Sequence, residues 1–186
     1  MKKGKLFIIS GPSGTGKGTI LKRVLEDNDN IRFSVSMTTR APREGEVDGV
    51  DYFFVDRDAY MKLLDENGFL EHASVYGDVL YGTPKAPVMK WMDEGYNVLL
   101  DIDVQGAAQV RENYPDCIGI FILPPSMEEL EARIKGRGSE TEETLAARLG
   151  GAMNEMAHAD EYDYKIVNDN LEKAVAEVEH VISINQ

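Results

Sequence analysis

The sequence LFIISGPSGTGKGT, residues 6–19, is the most informative stretch of this chain, because an apolar run leads directly into a glycine-rich turn that ends in a lysine. Residues 6–10 are typical of a buried strand, and residues 19–26 place apolar side chains on one side of a helix. A strand, a glycine-rich loop and a helix in this order are the context of a Walker A phosphate-binding loop. The loop and the start of its helix comprise Gly11, Pro12, Ser13, Gly14, Thr15, Gly16, Lys17, Gly18 and Thr19.

A loop of this kind binds phosphate mainly through its backbone. Its glycines let successive N–H groups point at phosphate oxygens, and the helix N-terminus adds a positive dipole end. Lys17 adds a full positive charge near the terminal phosphates of a nucleotide. Gly18 stands where a Ser or Thr usually binds the metal ion, which leaves direct metal ligation by the loop open. Asp101, at the end of an apolar strand, is the candidate to hold Mg²⁺, through water.

Strand and helix patterns alternate along the chain, which predicts an α/β fold with a parallel sheet and crossover helices. The predicted strands are residues 6–10, 97–102, 118–123 and 164–167, and the predicted helices are residues 19–26, 104–112, 171–184 and one that Ser126 caps. Two stretches interrupt this pattern. Residues 34–84 predict a small mixed-sheet insertion with a helix at 59–67, and residues 125–150 predict a mobile lid. We expect a single domain, 1–186, with its core in residues 1–33, 85–124 and 151–186.

The composition narrows the classes of function. The chain has 186 residues and a formal net charge of -13, which disfavours a nucleic-acid polymer as partner because that binding needs a basic surface. No apolar run reaches the ~18 to 20 residues that span a membrane, and residues 6–9 are too short for a signal peptide, so we expect a cytoplasmic protein. The single cysteine, Cys117, is expected to be an inert packing residue, and the three histidines lack metal-ligand spacing.

A second anion site is predicted at residues 36–54. Arg40 and Arg43 lie three residues apart around a proline, and two arginine forks can hold a dianionic monophosphate. The hydroxyl of Tyr52 either binds the same phosphate, or its ring packs in a strand. Together with the phosphate loop, this pair of sites predicts a phosphotransferase that passes a phosphoryl group to a second small molecule.

These motifs resemble the guanylate kinase family in its bacterial form, one of the nucleoside monophosphate kinases. The matching blocks are GPSGTGK at 11–17, SVSMTTRAPREGEVDGVDYFF at 34–54, GFLEHA at 68–73, LYGTP at 80–84, LLDIDVQGA at 99–107, LPPS at 123–126, GRGSETEETLAARL at 136–149 and IVNDN at 166–170. They follow the family's order over nearly the whole chain. The resemblance implies Mg²⁺-dependent transfer of the γ-phosphoryl group of ATP to GMP, in purine nucleotide metabolism and GMP recycling.

The resemblance also implies a role for individual residues. Those expected to hold the GMP phosphate are Arg40, Arg43, Tyr52 and Tyr81. Those expected to read the guanine or its setting are Ser36, Glu71, Thr83 and Asp103. Arg133, Arg137 and Arg148 are expected to close over ATP from the lid, and Asn168 to contact the adenine. With Lys17, the arginines Arg40, Arg137 and Arg148 form the expected catalytic set.

The chemistry of guanine agrees with these roles. A carboxylate such as Glu71 can accept hydrogen bonds from guanine N1–H and N2–H₂, and a hydroxyl can donate to O6. Without the resemblance, Glu71 would be interpreted as a solvated carboxylate on a strand.

Three features depart from the family's pattern, in addition to Gly18. The turn YGDVLY at 76–81 is one residue longer than the common form, which affects the alignment of Tyr81. Gly150 and Gly151 fall within an expected helix, where they mark either a soft point or close packing. His72 follows Glu71 and receives no catalytic role.

The alternative functions are a kinase for another small phosphate, such as AMP or a ribosyl phosphate, and a guanylate-kinase-like binding module without catalysis. A GTPase-like switch is disfavoured, because the sequence has no NKxD signal. The oligomeric state is not predicted.

Overall fold

The computed structural model of the chain describes residues 2–75, 78–136 and 142–186. Five parallel strands form its main sheet: β1 (Leu6–Ser10), β2 (Ile31–Phe33), β7 (Asn97–Asp101), β8 (Ile118–Leu123) and β9 (Tyr164–Val167). Their order across the sheet is β2-β7-β1-β8-β9. All five residues of β1 are buried, as expected for a central parallel strand that is covered on both faces. The predicted α/β fold with a parallel sheet is therefore confirmed.

Helices cover both faces of this sheet. On one face, α1 (Lys17–Asp27) and α7 (Leu171–Ile184) pack through residues such as Ile20 and Val178. On the other face, α3 (Lys85–Asp93) and α4 (Val104–Asn113) pack through residues such as Met92 and Val110. The loop between β1 and α1 therefore lies at the carboxyl end of the sheet, which is the edge where α/β proteins bind ligands.

A second sheet of four short strands lies within the predicted insertion. Its strands are β3 (Met37–Thr38), β4 (Phe53–Phe54), β5 (Phe69–Val75) and β6 (Val79–Pro84), in the order β4-β3-β6-β5. The β3–β4 pair is parallel and the other pairs are antiparallel, which confirms a mixed sheet. Helix α2 (Arg57–Asp65) begins two residues before the predicted start, because Asp56 caps it by accepting a hydrogen bond from the Ala59 N–H at 2.8 Å.

Two further helices, α5 (Met127–Lys135) and α6 (Glu142–Met156), lie beside the carboxyl end of the main sheet. The predicted Ser126 cap is confirmed, since its hydroxyl accepts from the Glu129 N–H at 3.1 Å. The two helices share a small apolar cluster that contains Leu130, Ile134 and Ala152. Helix α6 is continuous across the boundary predicted between residues 150 and 151, and the division into core, insertion and lid stays a prediction.

A short 3-10 helix, Ala159–Glu161, precedes β9. None of the helices in the described ranges combines the length and the apolarity needed to cross a bilayer.

Candidate active site

The side chain of Asn168 stabilises the phosphate loop by a hydrogen bond to its backbone. The Asn168 Nδ2 group donates to the Thr15 carbonyl at 2.7 Å, and the Thr15 hydroxyl donates to the Pro12 carbonyl at 2.9 Å. Gly16 has a φ of 84° and would place a Cβ 2.5 Å from Asn168 Nδ2, so only glycine fits at this position. The family resemblance implies that Asn168 contacts the adenine. In the structure, its side-chain amide donates to the backbone of the phosphate loop.

Lys17 and Asp101 form an ion pair at the mouth of this loop. Strand pairing explains the contact, because Ile9 of β1 lies opposite Asp101 of β7 and both strands end at the same edge. The cavity around them has a volume of about 600 Å³, in the range of small-molecule sites. It is lined by residues of the loop from Gly11 to Thr19, together with Asp101, Ile102, Asp103 and Glu155.

A second cavity, of about 310 Å³, lies between the main sheet and the smaller one. Its lining residues are Ser36, Tyr52, Glu71, Ala73, Tyr81, Asp101, Ile102 and Asp103. Five of the residues expected to bind the acceptor are thus brought together. Residues 101–103 line both cavities, so the two cavities adjoin along the end of β7.

Glu71 is the most buried acidic side chain of the second cavity, with 8% of its surface exposed. The Thr83 hydroxyl donates to Glu71 Oε1 at 2.6 Å, so Thr83 acts on the cavity through Glu71. Burial raises the pKa of Glu71, and the nearby charge of Asp103 raises it further. Asp103 also caps α4, because its Oδ1 accepts from the Gly106 N–H at 2.8 Å.

Arg40 is bound to a carboxylate that sequence reasoning missed. Its Nη1 and Nη2 groups donate to Glu46 Oε2 and Oε1 at 2.6 and 2.7 Å, and its Nε donates to the Tyr81 hydroxyl at 3.2 Å. The guanidinium carbon lies 5.0 Å from the centre of the Tyr52 ring. The hydrogen bonds from Arg40 hold the pKa of Glu46 at about 2, so Glu46 is ionised at neutral pH.

Arg43 does not line either cavity wall formed by the described residues. Its side chain is exposed, and its backbone N–H donates to Glu46 Oε2 at 2.7 Å. The structure therefore groups Arg40, Tyr52 and Tyr81 closely, whereas the exposed Arg43 side chain is not part of this group. In the sequence, the only indication of a role for Glu46 is that it lies three residues after Arg43, close to the predicted anion site.

The arginines from α5 and α6 approach the phosphate loop. Arg148 Nη2 donates to the Ser13 hydroxyl at 3.0 Å, and Arg133 Nη2 donates to the Asn168 carbonyl at 3.2 Å. A third cavity of about 320 Å³ is lined by Gly14, Gly16, Thr19, Arg133, Asn168, Asp169 and Leu171. Arg137, the other expected lid arginine, lies outside the described residues.

The sequence model of the family described as "Guanylate kinase" matches residues 3–185. The chain belongs to the guanylate kinase family. It is 52% identical over 183 residues to the guanylate kinase of Clostridium tetani, a match that covers 98% of this chain and 87% of the relative. It is 54% identical over 180 residues to that of Clostridium perfringens, with 97% and 83% covered.

A solved structure agrees with this assignment. The crystal structure of guanylate kinase from Anaplasma phagocytophilum superposes with a TM-score of 0.78 at 37% identity. The match covers 100% of this chain and 88% of that chain. The resemblance stated from the motifs is therefore confirmed as membership of the guanylate kinase family.

Glu155 is an acidic residue of the first cavity that the family motifs did not indicate. It extends from α6 and is half-buried near Lys17 and Asp103. Burial raises its pKa, and the charge of Asp103 raises it further, whereas Lys17 lowers it. No sequence pattern near residue 155 predicts this position, because the contact of Glu155 with the cavity depends on how α6 packs beside the phosphate loop.

Proposed function

We propose that this protein transfers the γ-phosphoryl group of ATP to GMP and releases ADP and GDP. The observation that carries this proposal is the buried Glu71 carboxylate in a cavity that adjoins the phosphate loop. The N1–H and N2–H₂ groups of guanine can satisfy such a carboxylate. AMP would instead place the acceptor N1 against it and leave the carboxylate unpaired.

The residues around the two cavities suffice for transfer without a strong general base. The acceptor is a phosphate oxygen that is ionised at neutral pH, so alignment and charge neutralisation provide the rate enhancement. Lys17 neutralises charge on the transferred group, while Arg40 and Tyr81 hold the acceptor phosphate. Arg148 adds positive charge beside the phosphate loop, and closure over ATP excludes water that would otherwise hydrolyse it. A catalytic role for Arg137, which lies outside the described residues, stays an expectation from the family resemblance.

Magnesium is expected to accompany ATP. Among the described residues, no three His, Cys, Asp or Glu side chains lie close enough to hold a metal ion by themselves. Mg²⁺ commonly binds through one or two carboxylates together with phosphates and water, and Asp101 at the loop cavity fits that mode. When bound, the ion would neutralise charge on the phosphate oxygens. Gly18 offers no hydroxyl to the ion, so loss of the Asp101 carboxylate should weaken the binding of Mg²⁺.

The two rival functions differ in what they predict for Lys17 and Glu71. A binding module without catalysis would not need Lys17 beside Asp101. A kinase for AMP would not need a buried carboxylate in the second cavity, which we call the acceptor cavity because it contains residues expected to bind GMP. A cytoplasmic location and the absence of a nucleic-acid partner stay predictions.

A coupled assay of ADP release tests the proposal. Purified protein is incubated with Mg²⁺ and ATP and, in turn, with GMP, dGMP, AMP, CMP or UMP. We expect GMP to exceed AMP in kcat/KM by about 10⁴, since sites built on hydrogen bonds reject analogues that lack them. Equal efficiency with AMP would reject GMP as the specific acceptor, and no ADP release with any acceptor would favour the binding module.

A further inference from the structure

Two side-chain amides of helix α4 form hydrogen bonds with the backbone at the open edge of β5. Strand β5 is the last strand of the smaller sheet, so one of its edges lacks a neighbouring strand. On that edge, Gln109 Oε1 accepts from the His72 N–H at 3.0 Å, and Gln109 Nε2 donates to the His72 carbonyl at 3.0 Å. Asn113 Nδ2 donates to the Leu70 carbonyl at 2.8 Å. The two amides thus fix the backbone on either side of Glu71.

The same side of α4 also meets the Glu71 carboxylate. Gly106 lies three residues before Gln109 and seven before Asn113, so the three positions share one face of the helix. A Cβ at Gly106 would lie 3.3 Å from Glu71 Oε2 and 3.5 Å from Asp103 Oδ1. Helix α4 therefore approaches Glu71 closely at Gly106, which has no side chain. It binds the backbone of β5 through Gln109 and Asn113.

Two of the three acidic residues that line the acceptor cavity, Glu71 and Asp103, thus depend on one helix. Asp103 caps the N-terminus of α4, and Glu71 lies on the strand that α4 grips. The two carboxylates repel each other, and Glu71 is buried, so each would relax away from the other and toward water if its backbone could move. Gln109 and Asn113 restrain the β5 backbone from outside the cavity, in addition to the Thr83 hydroxyl that donates to Glu71.

We propose that Gln109 and Asn113 are positioning residues for the base of the acceptor, which hold Glu71 at its place opposite Asp103 through the backbone of β5. This inference rests on the proposed function, because it concerns the same cavity. The competing explanation is that the amides only cover an open strand edge, which would affect stability but not the choice of base.

The test uses the full chain with Gln109→Ala, Asn113→Ala and the double variant. Glu112→Ala is the control, because Glu112 is exposed on the same helix and lies between the two positions. All are assayed with ATP and either GMP or AMP, well below their melting temperatures. We expect the KM for GMP to rise about tenfold in the double variant, from the loss of hydrogen bonds that fix the strand. The KM for ATP should stay within about twofold, and the GMP-to-AMP ratio of kcat/KM should fall.

Folded variants with an unchanged KM for GMP and an unchanged GMP-to-AMP ratio would overturn the inference, whatever their melting temperatures. If the double variant does not fold, Gln109→Glu decides the question: its carboxylate keeps the acceptor for the His72 N–H but loses the donor to the His72 carbonyl. That variant should show a smaller change in the same direction, and no change would likewise overturn the inference. Failure of the wild-type protein to prefer GMP would instead reject the proposed function, so the two failures are distinguishable.

Discussion

Lys17 links the phosphate loop to the end of β7, because its ammonium group contacts the Asp101 carboxylate. Both side chains keep part of their surface in water, with 19% and 29% exposed. The ion pair holds the ammonium group at the cavity, where the phosphates of a nucleotide are expected to bind.

Lys17→Met should lower phosphoryl transfer by orders of magnitude and leave the fold intact. The methionine keeps the length of the side chain but removes the charge that faces the transferred phosphate. Lys22→Met is the control, since Lys22 lies on the same helix with an exposed side chain. Retention of more than about a tenth of the wild-type rate, equivalent to ~1.4 kcal/mol of barrier, would show that the role assigned to Lys17 is wrong.

Glu71→Gln should lower kcat/KM for GMP by about 10² or more, because one guanine donor would then face an amide donor. The KM for ATP should hardly change, since Glu71 lines only the acceptor cavity of the two. Glu66→Gln, at an exposed position that ends α2, serves as the control. An unchanged GMP-to-AMP ratio would exclude Glu71 as the reader of the base and leave Asp103 and Ser36 as candidates.

The same substitution should not destabilise the protein without ligand. A carboxyl group whose pKa is raised on folding favours the protonated form, so its contribution to stability is lost as the pH rises through the folded-state pKa. Glu71→Gln replaces a carboxyl group whose charged form burial disfavours, and it keeps an acceptor for the Thr83 hydroxyl. Thermal unfolding at pH 7 should therefore give an equal or higher Tm than wild type, and a marked decrease would contradict this account.

At the scale of the elements, long buried segments were predictable and short ones were not. Strand β8 has the predicted bounds, because a parallel strand covered on both faces gives an uninterrupted apolar run. Strands β3 and β4 have two residues each, too few for a recognisable alternation, so only a mixed sheet could be predicted there. The start of α2 depended on the Asp56 cap, which the prediction overlooked.

Helix α6 carries Arg148 toward the phosphate loop and Glu155 toward the cavity, with Gly150 and Gly151 between them. Both glycines are exposed, and apart from their chain neighbours and the nearby backbone of α6 itself, no atom of the described residues lies within 4 Å of a Cβ added at either one. The interpretation as close packing is therefore wrong. What remains is that two adjacent glycines weaken the helix, by up to about 1 kcal/mol each relative to alanine.

Replacing both Gly150 and Gly151 by Ala should raise the Tm by about 4 to 8 °C, from ~2 kcal/mol in a chain of this size. If the soft point assists closure or product release, kcat should fall while the KM for GMP changes little. Gly45→Ala is the opposing control: its Cβ would also enter open space, but its φ of 86° strains alanine, so its Tm should decrease. A double variant that melts at a lower temperature than wild type would contradict the interpretation of Gly150 and Gly151 as a soft point.

At the scale of the whole molecule, the residues that line the two cavities were easier to predict from the sequence than the contacts that support them. The phosphate loop could be derived from its own residues, because all of its parts are consecutive. Glu71 needed the family resemblance, since a solvated carboxylate on a strand has the same local pattern. The position of Glu155 in the first cavity and the hydrogen bonds between Gln109 and β5 were not predicted. Each depends on contacts between segments far apart in the chain.

The arrangement of two adjoining cavities predicts a crossed pattern of ligand stabilisation. A ligand that binds the folded state at 100 times its Kd stabilises it by about 2.7 kcal/mol, which is roughly 5 to 10 °C in Tm for a chain of this size. Wild type should show such a shift with Mg²⁺ and ATP alone, and with GMP alone. Lys17→Met should lose most of the shift with ATP and keep the shift with GMP, whereas Glu71→Gln should do the reverse.

The reason for the crossing is geometric. Lys17 lines only the cavity of the phosphate loop and Glu71 only the acceptor cavity, while residues 101–103 line both. A substitution at Lys17 or Glu71 should therefore act on one ligand, and a substitution on the shared wall should act on both. Asp103→Ala supplies that comparison and should reduce both shifts, because Asp103 lines both cavities. Loss of both shifts in Lys17→Met or in Glu71→Gln, with the fold intact, would mean that the two cavities do not bind the two nucleotides separately.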